Sequence, residues 1–478
     1  MTKPRLSDLW TLGTLEGTLE RGPYALWGVI LFALKYNLDR FVAATVFHRS
    51  WSLFRYFAPH ESGRVDSLAG ADLRFFATLL LMAVPFIYCG VALTLRRLRG
   101  AGLPPGLLML FFVPVVNLLF FALLSLLPSA SGAQASTGSS LLARMVPRSK
   151  LGSAAAALLI VLPVAAFLTV LSVRVMQSYG WGLFVGLPFC IGLAAALLHG
   201  YHQPRSLWQS VSVALTAVTL LGLVLLAVAV EGAFCLLMAW PLGAALGALG
   251  GIVGALIQRR EGASASAAAG PADGAAPTRP PGGGGALVLL LFLLPVLMGA
   301  ERAEGGPAAL IPLRTAVEVN APPQVVWQKV VTFSELPPPS EWLFRIGIAY
   351  PQRAVIQGTG VGAVRHCVFS TGPFVEPIEV WDEPRLLKFA VTAQPPAMQE
   401  MSPWGKIDAP HISDFLVSEG GQFLLTPLPG GRTRVEGTTW YRHRIWPADY
   451  WRVWSDWILH SIHTRVLLHV KREAERGA

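Results

Sequence analysis

Three side chains able to do chemistry stand together in an otherwise apolar stretch: Arg365, His366 and Cys367, at the head of Val364–Pro384. A guanidinium holds anionic or polar groups by paired hydrogen bonds, an imidazole titrates near neutrality, and a thiol is a potential nucleophile. The stretch reads as strand, turn, strand. Val364–Thr371 is the first strand, Gly372-Pro373 punctuates it, Phe374–Trp381 resumes, and Asp382-Glu383-Pro384 is a second turn. Strand side chains alternate faces, so Arg365 and Cys367 share one and His366 takes the other. No second catalytic group is tied to His366 by spacing, so the preferred reading is a hydrogen-bonded structural histidine. Cys367, buried and alone, reads as packing.

A second set lies near the C-terminus. Glu436, Thr438, Trp440, Arg442 and Arg444 share one face of a strand, and Tyr441 and His443 share the other. An arginine beside a tryptophan suits an anionic or polar head group through bidentate hydrogen bonds and cation–π contact. The alternative is a solvated face with the arginines paired to Glu436 and Asp382. The candidate ligand-binding residues are therefore Arg365, His366, Trp381, Glu436, Trp440, Arg442, His443 and Trp454. None is assigned a catalytic role, and no cofactor is expected. His460 and His463 stand at i,i+3 and could share a metal, which His411 and Asp414 would join only by accident of the fold. A solvated helix face is the preferred reading, and no metal site is expected. The loop Pro395–His411, with Met398, Met401 and Trp404, is a candidate cap for a pocket. Phosphate loops, serine-hydrolase elbows, zinc spacings and dinucleotide fingerprints are absent from the sequence.

These residues need elements to hold them, and the composition says that not all of those elements face water. Of 478 residues, 53% are hydrophobic and 14% charged, where soluble proteins carry roughly 25% charged. Residues 301–478 are balanced, with 18 basic and 18 acidic side chains, so the whole net charge of +10 lies in residues 1–300. There the arginines sit at the ends of apolar runs, as in membrane proteins, rather than clustered as on a nucleic-acid-binding face. Of the four cysteines, Cys89, Cys190 and Cys235 lie in apolar runs and Cys367 stands alone, which argues against a disulfide framework or a zinc site. Residues 1–23 are polar and mixed in charge, so no cleavable signal peptide is expected at the start.

The clean apolar segments are Phe75–Leu95, Leu107–Leu127, Ala154–Leu171, Trp181–Leu198, Val211–Val230 and Phe234–Ile257; a span needs about 20 apolar residues. Tyr24–Phe47 is interrupted by Lys35, Asp39 and Arg40. It is either a crossing with Lys35 and Asp39 paired inside the bundle or an interfacial helix, the preferred reading. Ala286–Ala300, with Pro295, is the other weak segment, and counting both gives eight crossings. Gly243, Gly247 and Gly251, with Gly250 and Gly254 beside them, are expected to let a neighbouring helix approach closely. The expected division is a multi-pass membrane domain at 1–258, a Gly/Ala/Pro linker at 259–285, a last hydrophobic segment at 286–300 and a folded domain at 307–478. The domain is expected on the cytoplasmic side, although Leu287–Ala300 also has the length of an export signal core. Oligomeric state has no sequence signal.

Within the last domain, Leu313–Asn320 alternates as a strand, and Pro322-Pro323 opens a helix through Trp327. Strands are expected near Ala354–Gly358, Val361–Thr371, Phe374–Trp381, Leu386–Thr392, Gln422–Leu428 and Arg432–Arg444, with a hairpin turn at Leu428–Arg432. Asp449–Glu475 is a long helix with an apolar stripe of Trp451, Trp454, Ile458, Ile462, Val466 and Val470, and with His463 on its polar face.

Two resemblances follow. Arg96-Arg97-Leu98-Arg99-Gly100-Ala101-Gly102 and the helix after it resemble a small bacterial membrane family of unknown function with an R-R-L-x-D-x-G turn, departing at Gly100, where that family has Asp. Val317–Trp327, Leu428–Glu436 and the closing helix resemble the START-like superfamily, the helix-grip domains that include polyketide cyclases and lipid-transfer proteins. Val364–Pro384 resembles a bacterial cyclase/dehydrase-like subgroup of it. The resemblance implies an α+β domain, a curved antiparallel sheet gripping a long C-terminal helix around an apolar pocket, behind a polytopic α-helical bundle in a bacterial inner membrane. Three functions are open. The first is a module binding a lipid or other apolar small molecule at the membrane. The second is an enzyme on an aromatic or polyketide-like substrate, polarised by His366, Arg442 or Glu436. The third is an interaction domain with a filled core. Membrane lipids and an apolar ligand are the expected partners, and nucleic acid is not.

Overall fold

The computed structural model describes residues 14–51, 71–113, 115–129, 141–268, 283–303, 308–400, 402, 407, 409, 411–414 and 416–476. The chain divides into two compact units. One is Met1–Val224 with Ala239–Gly305, and the other is Leu225–Met238 with Gly306–Ala478.

The first unit is helical. Its elements are α1 (Arg21–Thr45), α2 (Ala71–Gly100), a 3₁₀ segment (Pro105–Phe112), α3 (Val116–Leu126), α4 (Leu141–Met145), α5 (Lys150–Val170), α6 (Leu187–His199), most of α7 (Leu207–Ala227), α8 (Ala233–Ala268) from Ala239 onward, and α9 (Gly283–Ala303). Among the described residues, five helices are long and apolar enough to cross a membrane: Leu73–Gly100, Lys150–Val175, Gly182–His199, Leu207–Ala227 and Ala233–Arg260. Leu107–Leu127 is not one helix. The 3₁₀ segment ends with Val113 extended at φ −92° and ψ 114°, and α3 starts after Val115 at φ 63°. The sequence puts Pro114 at the break, and proline has no N–H to continue a helical ladder. Lys35 and Asp39 form a buried i,i+4 ion pair on α1. Helix α8 runs on to Ala268, through the first part of the expected linker, and residues 269–282 of that linker lie outside the described set.

Backbone contact decides the packing of α8. A Cβ on Gly250 would lie 2.1 Å from the Phe189 carbonyl oxygen, and one on Gly192 would lie 1.9 Å from that of Gly247. On its other side α8 meets α7, where a Cβ on Gly247 would lie 2.7 Å from Val218 and one on Gly251 2.9 Å from Ala214. The glycines thus serve two neighbours at once. Arg97, which has no exposed surface, closes another joint. Its Nε donates to the Leu124 carbonyl at 2.9 Å, Nη1 to Ser129 Oγ at 3.1 Å, and Nη2 to the Leu127 carbonyl. The Leu124 and Leu127 carbonyls lie at the end of α3, where helix carbonyls lack intrahelical partners.

The second unit is a seven-stranded, wholly antiparallel sheet in the order β1-β7-β6-β5-β4-β3-β2. The strands are β1 (Leu310–Val319), β2 (Pro351–Gln357), β3 (Val364–Phe369), β4 (Gly372–Asp382), β5 (Leu386–Ala390), β6 (Leu416–Leu428) and β7 (Arg432–His443). Bulges interrupt β2–β3, β4–β5 and β6–β7, and bulges bend strands and add twist. Between the strands lie α10 (Pro323–Val331), α11 (Trp342–Arg345) and α12 (His411–Asp414), and α13 (Ala448–Arg476) closes the domain against β1, β7 and α10. The β6–β7 turn is the expected one, with Leu428 opposite Arg432 and Gly430 and Gly431 at φ 77° and 70°. Strand β6 begins six residues before its expected start, because Gly420-Gly421 is not a turn. A Cβ on Gly421 would lie 2.7 Å from the Phe389 ring, so the glycines make room inside the sheet.

Substituting Gly250→Ala is expected to destabilise the detergent-solubilised protein by about 1–3 kcal/mol through overpacking. Gly222→Ala, where a Cβ meets nothing within 4 Å, is expected to leave thermal unfolding unchanged.

Candidate functional site

Under α13 the concave face of the sheet leaves a cavity of about 110 Å³. Its walls are mainly aromatic and aliphatic, with Phe333, Phe389 and Phe423 from loop and sheet and Leu459, Ile462 and Val466 from the helix. Its polar lining is Arg365, Glu376, Ser418, Gln422, Thr438, Thr439 and His463, with the Cys367 thiol beside them.

Arg365 and Glu376 stand directly opposite each other on β3 and β4 and form an ion pair. Their side chains are only 2% and 7% exposed. The guanidinium carbon lies 5.5 Å from the Phe333 and Phe389 ring centres and 5.6 Å from that of Phe423, within cation–π range. Nε also donates to the Val331 carbonyl at 3.2 Å. Burial pushes the Glu376 carboxyl above its usual range, and Arg365 pulls it back. Burial pushes the neighbouring Cys367 thiol up to about 12, so it stays protonated and is no nucleophile. On the helix side, His463 Nε2 lies 2.7 Å from Thr439 Oγ1, and Nδ1 lies 3.1 Å from Thr315 Oγ1. Burial, then the nearby His460, pulls His463 down to about 4, so its ring is neutral.

Of the eight candidates read from the sequence, the cavity wall takes Arg365 and none of the other seven. His366 lies on the opposite face of β3, between Val355 and Val375. The odd-numbered residues of β7 turn toward α13, as Val435 and Tyr441 show by their complete burial. Period two therefore sends Glu436, Trp440 and Arg442 outward. Glu436 meets Arg314 and Arg434 at 4.0 and 3.8 Å, and Arg442 donates to Glu419 at 2.8 Å. Trp440 stands in register between Pro312 and Gly420. His443 is buried beyond Tyr441, whose hydroxyl donates to Asp456 at 2.6 Å, and burial pulls its pKa down to about 4. The bulge between Ile378 and Val380 changes the parity of β4, so Trp381 reaches the core, with its ring 5.6 Å from that of Trp327. Trp454 is half-buried, 6.3 Å from Trp457.

Glu376 and His463 escaped the sequence reading for identifiable reasons. The β3–β4 turn is Ser370-Thr371, with Gly372 opening β4 at φ 141°. A turn at Gly372-Pro373 would set Arg365 opposite Val380, and the true turn sets it opposite Glu376. His463 was placed on the polar face of α13. The buried stripe instead runs through Trp451, Ser455, Val466, Leu467, Val470 and Ala474, and Leu459, Ile462 and His463 face the cavity along it.

No family model matches the chain, and neither does any curated protein. Solved structures do match about a third of it. Among them are the protein XoxI from Bacillus cereus, at 16% identity over 34% of this chain and 93% of that one with a TM-score of 0.23; a Thalictrum flavum norcoclaurine synthase point mutant in complex with a transition-state analogue, at 11% over 36% and 99% with a TM-score of 0.24; and the Zhui aromatase/cyclase from Streptomyces, at 16% over 35% and 95% with a TM-score of 0.23. Such identities speak to fold alone. By its own topology the C-terminal domain has the helix-grip arrangement, an antiparallel sheet closed by one long helix.

Removing one member of the buried pair strands the other. Arg365→Met is expected to cost about 3–5 kcal/mol in chemical unfolding, and the double variant Arg365→Met with Glu376→Leu is expected to recover most of that loss. The histidines give a pH signature. His463 and His443 have folded pKa values of about 4 against roughly 6.5 when unfolded, so the unfolded chain binds more protons between these values. The contribution of these two histidines to stability is expected to be complete above pH 6.5 and to be lost as pH drops through the window to 4, by up to about 1.4 kcal/mol per pH unit per histidine. His463→Gln is expected to flatten that slope.

Proposed function

We propose that the C-terminal domain is a membrane-tethered binding module that holds a small apolar molecule between sheet and closing helix. The observation that carries this reading is the cavity under α13, walled by aromatic and aliphatic side chains with polar groups from the sheet and from the helix among them. Its volume of about 110 Å³ is below the roughly 300–1,000 Å³ of drug-sized sites and near the ~150 Å³ void that takes a benzene. The guest is therefore about one ring or a short branched chain. A longer acyl chain enters only if α13 swings away from the sheet. Tethering is supported by the five helices long and apolar enough to span a bilayer. Exposed Trp342, Val453 and Trp457 add an apolar surface on this domain of the kind found at membrane interfaces. In this reading the module works at the cytoplasmic face of a bacterial plasma membrane.

A second reading has one specific observation behind it. Glu376 is a carboxyl with a raised pKa inside an apolar cavity, the environment that tunes a general acid. On that reading the domain turns over an aromatic or polyketide-like substrate, and Glu376→Gln keeps binding but loses turnover.

The binding reading is tested by native mass spectrometry of the full chain released from detergent. A co-purified apolar small molecule is expected for the natural sequence. Gly437→Leu, which extends a side chain from the cavity wall toward Phe423 and Leu467, is expected to lose it while unfolding at a similar temperature. A natural sequence that carries no guest, and takes up no apolar fluorescent probe that the Gly437→Leu variant refuses, would leave a filled core with no binding role.

A further inference from the structure

Within the second unit, the segment Leu225–Met238 brings Glu231 and Cys235 against the loop before β6, which carries Glu400 and His411. His411 Nε2 lies 3.0 Å from Cys235 Sγ and 3.7 Å from Glu400 Oε1. Its other nitrogen, Nδ1, lies 3.6 Å from Glu231 Oε2. The donor atoms of Cys235, Glu400 and His411 all fall within 4.8 Å of one another. The Glu400 side chain is fully buried, and neither of its oxygens accepts a hydrogen bond among the described residues. An ionised carboxylate in that condition is costly unless a cation compensates it. The backbone is built around this placement. A Cβ on Gly232 would lie 1.7 Å from Glu400 Oε2, so only glycine admits the carboxylate there. The loop is held by Gln399 N–H to the Gly347 carbonyl at 2.8 Å and by Ala397 N–H to that of Ile412 at 3.2 Å.

We propose that Cys235, Glu400 and His411 bind a zinc-class divalent cation, with Glu231 orienting the imidazole. The donor set is one thiolate, one imidazole and one carboxylate, which suits a borderline-soft ion. Bonds of about 2.0–2.3 Å to such an ion separate tetrahedral ligand atoms by roughly 3.3–3.7 Å; the observed separations from His411 Nε2 are 3.0 Å to Cys235 Sγ and 3.7 Å to Glu400 Oε1, so small side-chain shifts bring the set to that geometry. On binding, the Cys235 thiol gives its proton to solvent as the metal–sulfur bond forms. The thiolate and the Glu400 carboxylate then balance the two charges of the ion, and the fourth position is left to water. His411 Nε2 faces the ligands while Nδ1 faces Glu231, the arrangement in which an outer carboxylate fixes a metal-binding imidazole. The bound ion fastens the Leu225–Met238 segment to the loop.

The test uses the untagged full chain in detergent, stripped with a chelator and titrated with Zn²⁺ against a chromophoric competitor. About one ion per chain is expected, with a higher unfolding temperature once it is bound. Cys235→Ser and His411→Ala are expected to weaken binding by at least about 100-fold and Glu231→Gln by about 10- to 100-fold, while Cys367→Ser leaves it unchanged. Co²⁺ in place of zinc is expected to show a near-ultraviolet sulfur-to-metal band in the natural sequence. That band decides the matter should Cys235→Ser fail to fold. No zinc binding by the natural chain, equal binding by the Cys235→Ser and His411→Ala variants, or a cobalt form without the sulfur band would each overturn the assignment.

Discussion

A guanidinium almost wholly cut off from water lies at the base of the helix-grip cavity. Arg365 is 1% exposed and sits among three phenyl rings, with Glu376 across the strand pair. A buried charge of this kind tolerates little freedom. Its partner must be in register, its rings must keep their distance, and the Val331 carbonyl must be in reach. The strand pair β3–β4, the loop that carries Phe333 and the neighbouring strands β5 and β6, which carry Phe389 and Phe423, all converge on satisfying it. The pair need not add net stability, because desolvation offsets much of the attraction. It sets one register and one face, and it puts a polar wall on an otherwise greasy space.

The helical unit meets the same constraint in its own interior, where an unpaired backbone group is costly. Arg97 reaches the free carbonyls at the end of α3. Its place in the run Arg96–Arg99 invites a reading as a topology signal, yet its side chain is spent on the interior of the fold. Glycines let α8 touch α6 and α7 at backbone distance. Small residues permit that close van der Waals approach between helices.

The ligand-binding reading and the cation site rest on different parts of the second unit. The cavity depends on sheet curvature and on how far α13 stands from it. The cation site depends on a short chain segment, Leu225–Met238, meeting a loop more than 160 residues away in sequence. Loss of one would leave the other standing. The cavity volume is below that of drug-sized sites, so the helix-grip shape by itself does not imply a large ligand.

The sequence by itself determined the broad plan. Spans of apolar residues, the shift to balanced charge after residue 300, and period-two runs ending in a long helix are local patterns, and each is carried by a few neighbouring residues. The hairpin at Leu428–Arg432 was legible because two adjacent glycines accept positive φ. That Arg365 and Cys367 share a face was legible because strands alternate. Tertiary structure alone decided which face is inside and what lies opposite. A two-residue difference in the β3–β4 turn exchanges Val380 for Glu376 as the partner of Arg365. A bulge in β4 sends Trp381 inward, the parity of β7 sends Trp440 and Arg442 out, and a shift of the buried stripe along α13 brings His463 to the cavity. Cys235, Glu400 and His411 come from two stretches far apart in the chain, with no spacing to announce them. Their meeting is a property of long-range packing, in which a one-residue slip of register reverses every side chain while leaving local pattern almost untouched.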